Sequence, residues 1–294
     1  MSRFRFISEQ RAEFGIKRLC RVLNVSRSGF YAWLDGAARR AARAATDDQL
    51  LEQIRTIHRQ TRGVYGSPRV CAELRAQGLV VNHKRIERMM RAAGVIGIHL
   101  RRQRKTTVAD PTAVPAPDLL ARDFTAERPD TRWVGDITYL RAGSSWLYLA
   151  TVVDLYSRRL VGWSLADHLR AGLVCDALTA AVATRGGTGV DGVVFHADHG
   201  TQYTSAVFAE VCATHKVVQS MGTIGDSLDN AVAESFFATL KRELGARWDS
   251  PEQARLAVFS WIAFYNHRRR HSALAYHSPV EYERITAHQQ PTAA

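Results

Sequence analysis

The sequence predicts an all-helical, basic region followed by an α/β domain with a mixed sheet. Apolar residues recur at helical spacing through residues 1–95, and strand-like runs rich in Val, Ile, Tyr, Trp and Thr begin at residue 132. The charge divides in the same way: residues 1–129 contain 25 Lys and Arg against 12 Asp and Glu, and residues 130–294 contain 15 against 16. A basic module beside a near-neutral one indicates a polyanion-binding part attached to a second function. A generally basic soluble protein is the alternative interpretation.

The totals exclude several other classes of protein. No apolar run among the 294 residues approaches the roughly 20 needed to span a membrane. The N-terminus lacks the apolar core of a secretory signal, so we expect a cytoplasmic protein. The cysteines are scattered and form no C-x-x-C pair, so buried thiols are expected rather than disulfides or a zinc site. They are Cys20, Cys71, Cys175 and Cys212.

Residues 11–34 hold two short helical patterns separated by a break at Asn24, with Ser26 placed to cap the second helix. Helix, tight turn, helix is the outline of a helix-turn-helix. Arg27 and Ser28 would then begin the second helix, where such motifs meet DNA. An ordinary helical hairpin fits the same pattern.

Three more helices are predicted in the basic region. One covers residues 46–60 and begins with a cap at Thr46, a second begins in the turn YGSPRV at 65–70, and a third is capped by Asn82. The third helix has a basic face that we expect to contact DNA. Its basic side chains include Lys84, Arg85 and Arg88.

Residues 99–131 combine a run of Arg and Lys with several prolines, which is typical of an extended linker. The charges would either be solvated along a tether or follow DNA phosphates as a strap. The residues concerned are Arg101, Arg102, Arg104 and Lys105.

Three strand-like runs from residue 132 precede an alternation of helix and strand, which predicts the mixed sheet. Their tryptophans, Trp133, Trp146 and Trp163, are expected in the core rather than as base-stacking platforms.

Three acids of this domain stand out by position. Asp136 lies inside the first strand, and Asp198 directly follows an apolar run, where ligand groups collect in α/β sheets. Glu234 shares one edge of a predicted helix with Lys241, two turns later. Carboxylates on three separate elements can bind hard cations such as Mg²⁺, which serve phosphodiester chemistry. The chain has 28 acids, so the residues alone leave this choice open.

The remaining acids have simpler interpretations. Asp226 and Asp229 precede that helix and would cap it. Glu243 is expected in solvent on its outer face. Asp154, beside two arginines, is expected in a structural ion pair or a turn.

His267 and His271 have a spacing that can bind zinc on a helix. The arginines between them disfavour a metal, so DNA or structural contacts are expected for this segment. Arg268 and Arg270 are its candidate DNA contacts.

Four segments, taken in order, resemble the catalytic half (OrfB) of bacterial insertion-sequence transposases of the IS-three group, which share the integrase catalytic core of retroviruses. The resemblance extends over about residues 10–285, and YGSPRV and its flanks are similar to the helical N-terminal region of that group. The segments are WVGDITY at 133–139, FHADHGTQY at 195–203, DNAVAESFFATLKRE at 229–243 and YNHRRRHSAL at 265–274.

The resemblance implies a ribonuclease H-like fold and a D, D-35-E triad. This chain has 35 residues between Asp198 and Glu234, so the implied metal ligands are Asp136, Asp198 and Glu234. Lys241 matches a basic residue of the family that contacts the DNA end. Ala197 and His199 stand where the family more often has Ser and Arg, and neither is an implied ligand.

The implied reaction is cleavage at the ends of an insertion sequence, followed by transfer of the freed 3′-OH into DNA, with two Mg²⁺ or Mn²⁺ ions per active site. The implied partners are terminal inverted repeats, target DNA, a second copy of the chain and an upstream-frame OrfA protein or fusion. The implied location is the bacterial cytoplasm, at the nucleoid when DNA is bound. A repressor derived from a transposase and a nuclease that only hydrolyses remain alternatives.

The resulting domain prediction has five parts. They are a helix-turn-helix-like segment (1–45), a helical DNA-binding region (46–98), a basic linker (99–131), a ribonuclease H-like integrase catalytic core (132–285) and a tail (286–294).

Overall fold

The chain divides into two compact units, Met1–Gly97 and Ile98–Ala294. None of the helices in the described part of the chain is long and apolar enough to cross a membrane. The structure is a computed structural model that describes residues 2–98, 117–120, 123–187, 190–222, 231–245 and 247–288.

The described part of the first unit is helical, as predicted. Its helices are α1 (Arg3–Phe14), α2 (Ile16–Val22), α3 (Arg27–Asp35), α4 (Ala37–Gln60), α5 (Ser67–Ala76) and α6 (His83–Ala92).

Helices α2 and α3 form the predicted helix, turn, helix. Asn24 takes a left-handed conformation with φ 51°, which turns the chain between them. The Ser26 hydroxyl accepts a hydrogen bond from the Gly29 amide at 3.0 Å and caps α3. Phe30 is fully buried with residues of α1 and α2, so three helices share this small core.

The predicted helix start at Thr46 is wrong, because α4 is one continuous helix from residue 37 to residue 60. Residues 37–45 are mostly Ala and Arg, which favour helix, so the chain does not break before Thr46. The Thr46 hydroxyl donates back to the Ala42 carbonyl at 2.9 Å instead of capping. The boundary predicted at 45/46 therefore falls inside a helix.

Helices α5 and α6 begin where the sequence predicts. Pro68 lies in the first turn of α5, where its missing amide hydrogen costs nothing. The Asn82 side chain accepts from the Lys84 amide at 2.9 Å and caps α6.

The described residues of the second unit form a six-stranded mixed sheet, which confirms the predicted fold class. The spatial order is β3-β2-β1-β4-β5, with β6 paired to β1; the first two pairings, β3-β2 and β2-β1, are antiparallel and the others are parallel. The strands are β1 (Arg132–Ala142), β2 (Ser145–Asp154), β3 (Leu160–Ala166), β4 (Val194–Ala197), β5 (Val218–Met221) and β6 (Arg247–Trp248).

Helices cover both faces of this sheet. Strand residues alternate between the two faces, so Trp133 packs with α7 and α8 while Val134 packs with α9 and α10. The helices are α7 (Ala171–Thr184), α8 (Ala206–Thr214), α9 (Ala231–Leu244), α10 (Pro251–His267) and α11 (Pro279–Ala287). The sequence patterns indicated α7, α8 and α9, but not α10 or α11.

The end of the predicted linker packs against the second unit. Leu120 is 2% exposed and belongs to the core beneath α9 and α10. The Leu119 amide donates to the Ser220 hydroxyl at 2.9 Å, and the Phe124 ring meets the His196 ring edge-on. A linker extending to residue 131 is therefore wrong. The arginine-rich part of the predicted linker lies outside the described residues.

A buried charge network connects the sheet to α11. Asp154 is fully buried and accepts from the Ser157 amide at 2.9 Å, which confirms its predicted structural role. The Glu283 carboxylate of α11 lies 2.7 Å from both the Arg159 and the Arg185 guanidinium. Burial alone would raise the pKa of Glu283, but hydrogen bonds from Arg185, Ser157 and Arg159 outweigh it and lower that pKa.

We expect Glu283→Gln to reduce the free energy of unfolding by about 2 kcal/mol at pH 7, because it removes the carboxylate that pairs with Arg159 and one of three that pair with Arg185. The pKa of Glu283 is lowered in the fold, so its stabilisation is present above the pKa of the unfolded carboxyl. It is lost as pH falls through the lower folded pKa. Urea unfolding between pH 3 and pH 7 should show the two proteins converging at acidic pH.

Glu281→Gln is the matched control on the same helix. The Glu281 side chain is 36% exposed and pairs with Arg270, so we expect a loss below about 1 kcal/mol. Equal losses for the two variants would contradict the network's role.

Candidate active site

Asp136 lies in the middle of β1, opposite Thr151 of β2. Strand β4 pairs with β1 only at residues 132–134, so it does not cover the edge of β1 beside Asp136. One carboxylate oxygen of Asp136 accepts from the Ile137 amide at 2.7 Å, and the side chain is half-buried. The sheet thus holds a carboxylate where two strands separate.

Asp198 stands beside Asp136 because of the parallel register. Val134 of β1 pairs with His196 of β4, and each acid lies two residues beyond its paired residue. The carboxyl ends of neighbouring parallel strands lie at the same edge of a sheet, where ligand groups collect. Asp198 is exposed, and its carboxylate accepts from the Gly200 amide at 3.0 Å.

Gly135, directly before Asp136, has a packing role that the sequence reading missed. The ring of Phe195 occupies the space that a side chain on Gly135 would need. A glycine therefore allows close contact between the two strands that carry the acids.

Glu234 and Lys241 lie on α9, whose buried face packs on the sheet through residues such as Phe236 and Leu240. Glu234 is exposed in the first turn, and Lys241 is half-buried in the last turn. The Lys241 ammonium lies 4.9 Å from the centroid of the Tyr139 ring on β1. The predicted helix edge thus faces the strand that carries Asp136.

The three acids and Lys241 share one electrostatic field. Burial raises the pKa of Asp136 to about 7, and repulsion from Asp198 and, less strongly, Glu234 adds to it. The Ile137 amide and Lys241 act in the opposite direction. Burial lowers the pKa of Lys241, which attraction to Asp136 partly offsets.

The acids converge without forming a closed cage. Within the described residues, no three His, Cys, Asp or Glu side chains are grouped closely enough to hold a metal ion. Asp136, Asp198 and Glu234 come from three parts of the chain and interact electrostatically. Their side chains do not lie close enough together to be ligands of one metal ion. Asp226 and Asp229, predicted to cap α9, lie outside the described residues.

The expectation that Glu243 faces solvent is wrong. Its side chain is 4% exposed and lies 2.8 Å from the guanidinium of Arg269, which is 6% exposed. The Trp261 indole of α10 donates to the same carboxylate at 3.0 Å. Helix α10, which the sequence patterns did not predict, covers this side of α9 and buries the charge.

The predicted DNA contacts differ in their surroundings. Arg27 and Ser28 are exposed in the first turn of α3, and Lys84 and Arg88 are exposed on α6. Arg85 is an exception, because its guanidinium pairs with Asp47 of α4 through two hydrogen bonds. The predictions outside the described residues are Arg101, Arg102, Arg104 and Lys105.

The segment after α10 does not present the predicted helical pair of histidines. The helix ends at His267, and His271 is buried edge-on against the Tyr265 ring. Arg268 is exposed, whereas Arg270 bonds to the Tyr276 carbonyl and to Glu281, both at 3.2 Å. In this arrangement Arg270 has a structural role, which disagrees with its predicted DNA contact.

The three tryptophans that were expected in the core differ in their exposure to solvent. Trp133 is fully buried and Trp163 is half-buried, but Trp146 is 41% exposed, so its assignment to the core is wrong. It lies on β2 near the β1–β2 turn, with its ring centroid 5.4 Å from that of Tyr139. The core beneath α7 ends before this part of the hairpin, since it takes in Ala150 of β2 but not Trp146.

Comparisons with known families match both units. Two integrase core domain families match residues 126–227 and 215–279, and an HTH-like domain family matches residues 45–104. The HTH-like match covers most of α4 and all of α5 and α6, rather than the segment 1–45 in which the helix-turn-helix was predicted. A DNA-reading role for Arg27 and Ser28 stays a prediction.

The chain is 39% identical to the transposase InsF for insertion sequence IS3A of Escherichia coli over 284 residues, which is 95% of this chain and 97% of that protein. It is 37% identical to a putative transposase for insertion sequence element IS986/IS6110 of Mycobacterium tuberculosis over 247 residues. That alignment covers 82% of this chain and 89% of the relative.

Solved structures give more distant likenesses. One is a simian T-cell lymphotropic virus intasome in complex with the PP2A regulatory subunit B56 gamma, at TM-score 0.47 and 14% identity, covering 82% of this chain and 76% of the other. Another is the HTLV-2 integrase catalytic core domain in complex with magnesium, at TM-score 0.41 and 16% identity, covering 53% and 98%.

We expect Asp136→Asn to stabilise the metal-free protein above pH 7. The pKa of Asp136 is raised in the fold, so the wild type loses stability as pH rises from about 4 through 7, and the variant does not. The gain at pH 8 should be at most about 4 kcal/mol and should vanish near pH 4. Urea unfolding with a chelator across this range measures it.

Asp176→Asn, at an exposed position of α7, is the matched control and should change stability little at any pH. An Asp136→Asn protein no more stable than wild type at pH 8 would show that the fold does not raise the pKa of Asp136.

Proposed function

This chain belongs to the family of transposases of IS3-type insertion sequences, and we propose that its second unit cuts the ends of such an element and joins the freed 3′-OH to DNA. The observation that carries the proposal is the β1–β4 register, which places Asp136 and Asp198 at one edge of the sheet, together with the contact that brings the edge of α9 bearing Glu234 and Lys241 to β1. Like charges are costly to hold together, and such sites are characteristic of ion binding and catalysis.

Asp136, Asp198 and Glu234 would hold Mg²⁺ or Mn²⁺, and two ions per site is the stoichiometry we propose. Carboxylate oxygens are the donors these hard cations prefer, and a cation would offset the burial and the repulsion that together raise the pKa of Asp136. When bound, such ions neutralise charge on the reacting phosphodiester and favour in-line displacement. A protonated Asp136 binds no cation, so metal affinity should fall as pH falls through 7.

The chain's own groups prepare the site for this chemistry. The Gly200 amide orients the Asp198 carboxylate, and the Ile137 amide does the same for Asp136. Lys241 supplies a positive charge to a DNA phosphate while it partly neutralises Asp136. One site serves hydrolysis and strand transfer because only the attacking oxygen differs, water in the first step and the 3′-OH in the second.

The first unit would hold the ends of the element. Exposed Lys84 and Arg88 of α6 lie within the HTH-like match, and Arg27 and Ser28 begin α3. Phosphate contacts from such residues position a protein on DNA. Two ends must be joined in one reaction, so we propose at least a dimer on DNA, with an OrfA protein or fusion as a further partner. We place this activity in the bacterial cytoplasm, at the nucleoid.

We expect Glu234→Gln to bind terminal DNA as wild type does but to lose both nicking and joining by more than 100-fold, because an amide is a poor ligand for a hard cation. Labelled terminal DNA with Mg²⁺ measures binding and both reactions in one mixture. Nicking at the wild-type rate would remove Glu234 from the site. Wild-type binding without cleavage would favour the repressor, and nicking without joining would favour the nuclease.

We expect Lys241→Ala to weaken binding of terminal DNA and to lower the slope of log affinity against log salt by about 0.9, the contribution of one phosphate contact. Lys216→Ala is the matched control, because this exposed lysine pairs with Asp191 at 2.7 Å. The measurement is a titration of labelled DNA at several salt concentrations. An unchanged slope for Lys241→Ala would place this lysine outside the DNA interface.

A further inference from the structure

We propose that an exposed aromatic and cationic surface at the end of the β1–β2 hairpin stacks an unpaired DNA base next to the candidate active site. We call this surface the aromatic ledge and define it by Tyr139, Arg141, Trp146 and Arg247. The proposal rests on the proposed function, which supplies the DNA, and it adds a binding site for single-stranded nucleotides.

Strand register places these side chains on one face of the sheet. Arg141 of β1 pairs directly with Trp146 of β2 and, on its other side, with Arg247 of β6. Tyr139 lies two residues before Arg141 and therefore points to the same face. The ring centroids of Tyr139 and Trp146 are 5.4 Å apart, and the rings meet edge-on at 80°.

The rings of the ledge are open to solvent. Tyr139 is 58% exposed and Trp146 is 41% exposed, whereas Trp133 on the same face of β1 is fully buried. Large aromatic side chains of a sheet normally bury their area, so two neighbouring exposed rings indicate a surface that another molecule covers. Lys241 lies over one face of the Tyr139 ring, Arg141 lies over one face of the Trp146 ring, and the edge-on contact covers part of a third face, so a base would stack on the ring face that these contacts leave open.

The charges around the rings favour a polyanion. The Arg141 guanidinium lies 5.5 Å from the centroid of the Trp146 ring, and Lys241 is similarly placed over Tyr139. Arg141 and Arg247 are exposed register partners, and like charges directly opposite each other are destabilising. In the part of the chain that the structure describes, no carboxylate lies within ion-pair distance of either arginine. A DNA backbone would supply the missing negative charge.

The ledge adjoins the acids. Lys241 contacts the Tyr139 ring and shares the electrostatic field of Asp136, which lies three residues before Tyr139 on β1. Three residues of strand span about 10 Å, the scale of a few nucleotides. Asp136 and Tyr139 point to opposite faces of the sheet, but neither β4 nor β6 pairs with β1 between Val134 and Arg141, and Lys241 of α9 reaches the Tyr139 ring there. A strand whose phosphate lies at Lys241 can therefore present a following base to the ledge around this open edge.

The occupant we infer is an unpaired base rather than a duplex or a protein. Only an unpaired or terminal base offers a free π-face, and stacking on aromatic side chains with nearby Arg is how proteins bind single strands without reading sequence. A protein partner with an apolar patch would leave the two arginines without countercharge.

Binding of two DNA duplexes to the full-length protein tests this proposal, with a chelator present so that no chemistry occurs. Both duplexes carry the element's terminal sequence; one is blunt, and the other has a three-nucleotide single-stranded extension with 2-aminopurine at its first unpaired position. We expect the extension to tighten binding about tenfold and the 2-aminopurine fluorescence to be quenched. Tyr139→Leu and Trp146→Leu should each lose most of this preference while blunt-duplex affinity changes less than about twofold.

Ring-preserving and ring-removing controls separate stacking from folding. Tyr139→Phe and Trp146→Phe should retain the preference for the extension, and so should Phe259→Leu, which removes another exposed ring from α10. Equal affinity of the wild type for the two duplexes, or a preference that survives both Leu variants, would overturn the proposal. So would Leu variants that weaken self-association of the DNA-free chain in sedimentation, since that outcome assigns the ledge to a second copy.

The two proposals fail separately. A wild type that neither nicks nor joins DNA with Mg²⁺ but keeps a ring-dependent preference for the extension would refute the transposase reaction and leave the ledge intact. Normal nicking and joining without a preference for the extension would refute the ledge and leave the transposase reaction intact.

Discussion

The placement of the candidate site depends on the buried pair between Glu243 and Arg269. These side chains are 4% and 6% exposed, so each charge is stable there only because the other is present. The pair fixes the end of α9 against the segment that follows α10, and the Trp261 indole adds a third contact. Glu234 and Lys241 project from the same helix toward the sheet. Glu234 and Lys241 lie on the same helix as Glu243, so the pair at the end of α9 helps to set where these two side chains stand.

The carboxylates of the second unit have two contrasting kinds of surroundings. Beneath α10 and α11, every buried carboxylate described here has an arginine or amide partner, so its charge stabilises the fold. Around Asp136, burial and repulsion from Asp198 and Glu234 oppose ionisation, and Lys241 acts in the opposite direction. The first arrangement stabilises the fold, and the second makes the ionised form of Asp136 costly. The stability that the paired carboxylates provide offsets the cost of holding several acids near Asp136.

Much of this arrangement could be predicted from the sequence, because local patterns determine it. Apolar runs and turns predict the strand that bears Asp136 and the strand that Asp198 follows, and helical spacing alone places Glu234 with Lys241. Periodicity cannot tell which additional element covers a polar face, so Glu243 was assigned to solvent although α10 lies over it. The opposite error occurred at Trp146, where strand composition indicated burial but the covering helix stops short. The triad itself needed the family resemblance, since 28 acids offer many equally plausible sets.

The network around Glu283 also bears on how the protein is made. Arg159 and Arg185 are synthesised 124 and 98 residues before Glu283, so during translation Arg159 lacks this carboxylate and Arg185 is paired with Asp130 and Asp154 alone. The second unit can reach its full stability only when α11 has left the ribosome. A gene copy truncated before Pro279 would encode every proposed catalytic residue and still yield a poorly folded chain. Full-length translation thereby becomes a condition for a protein able to move DNA.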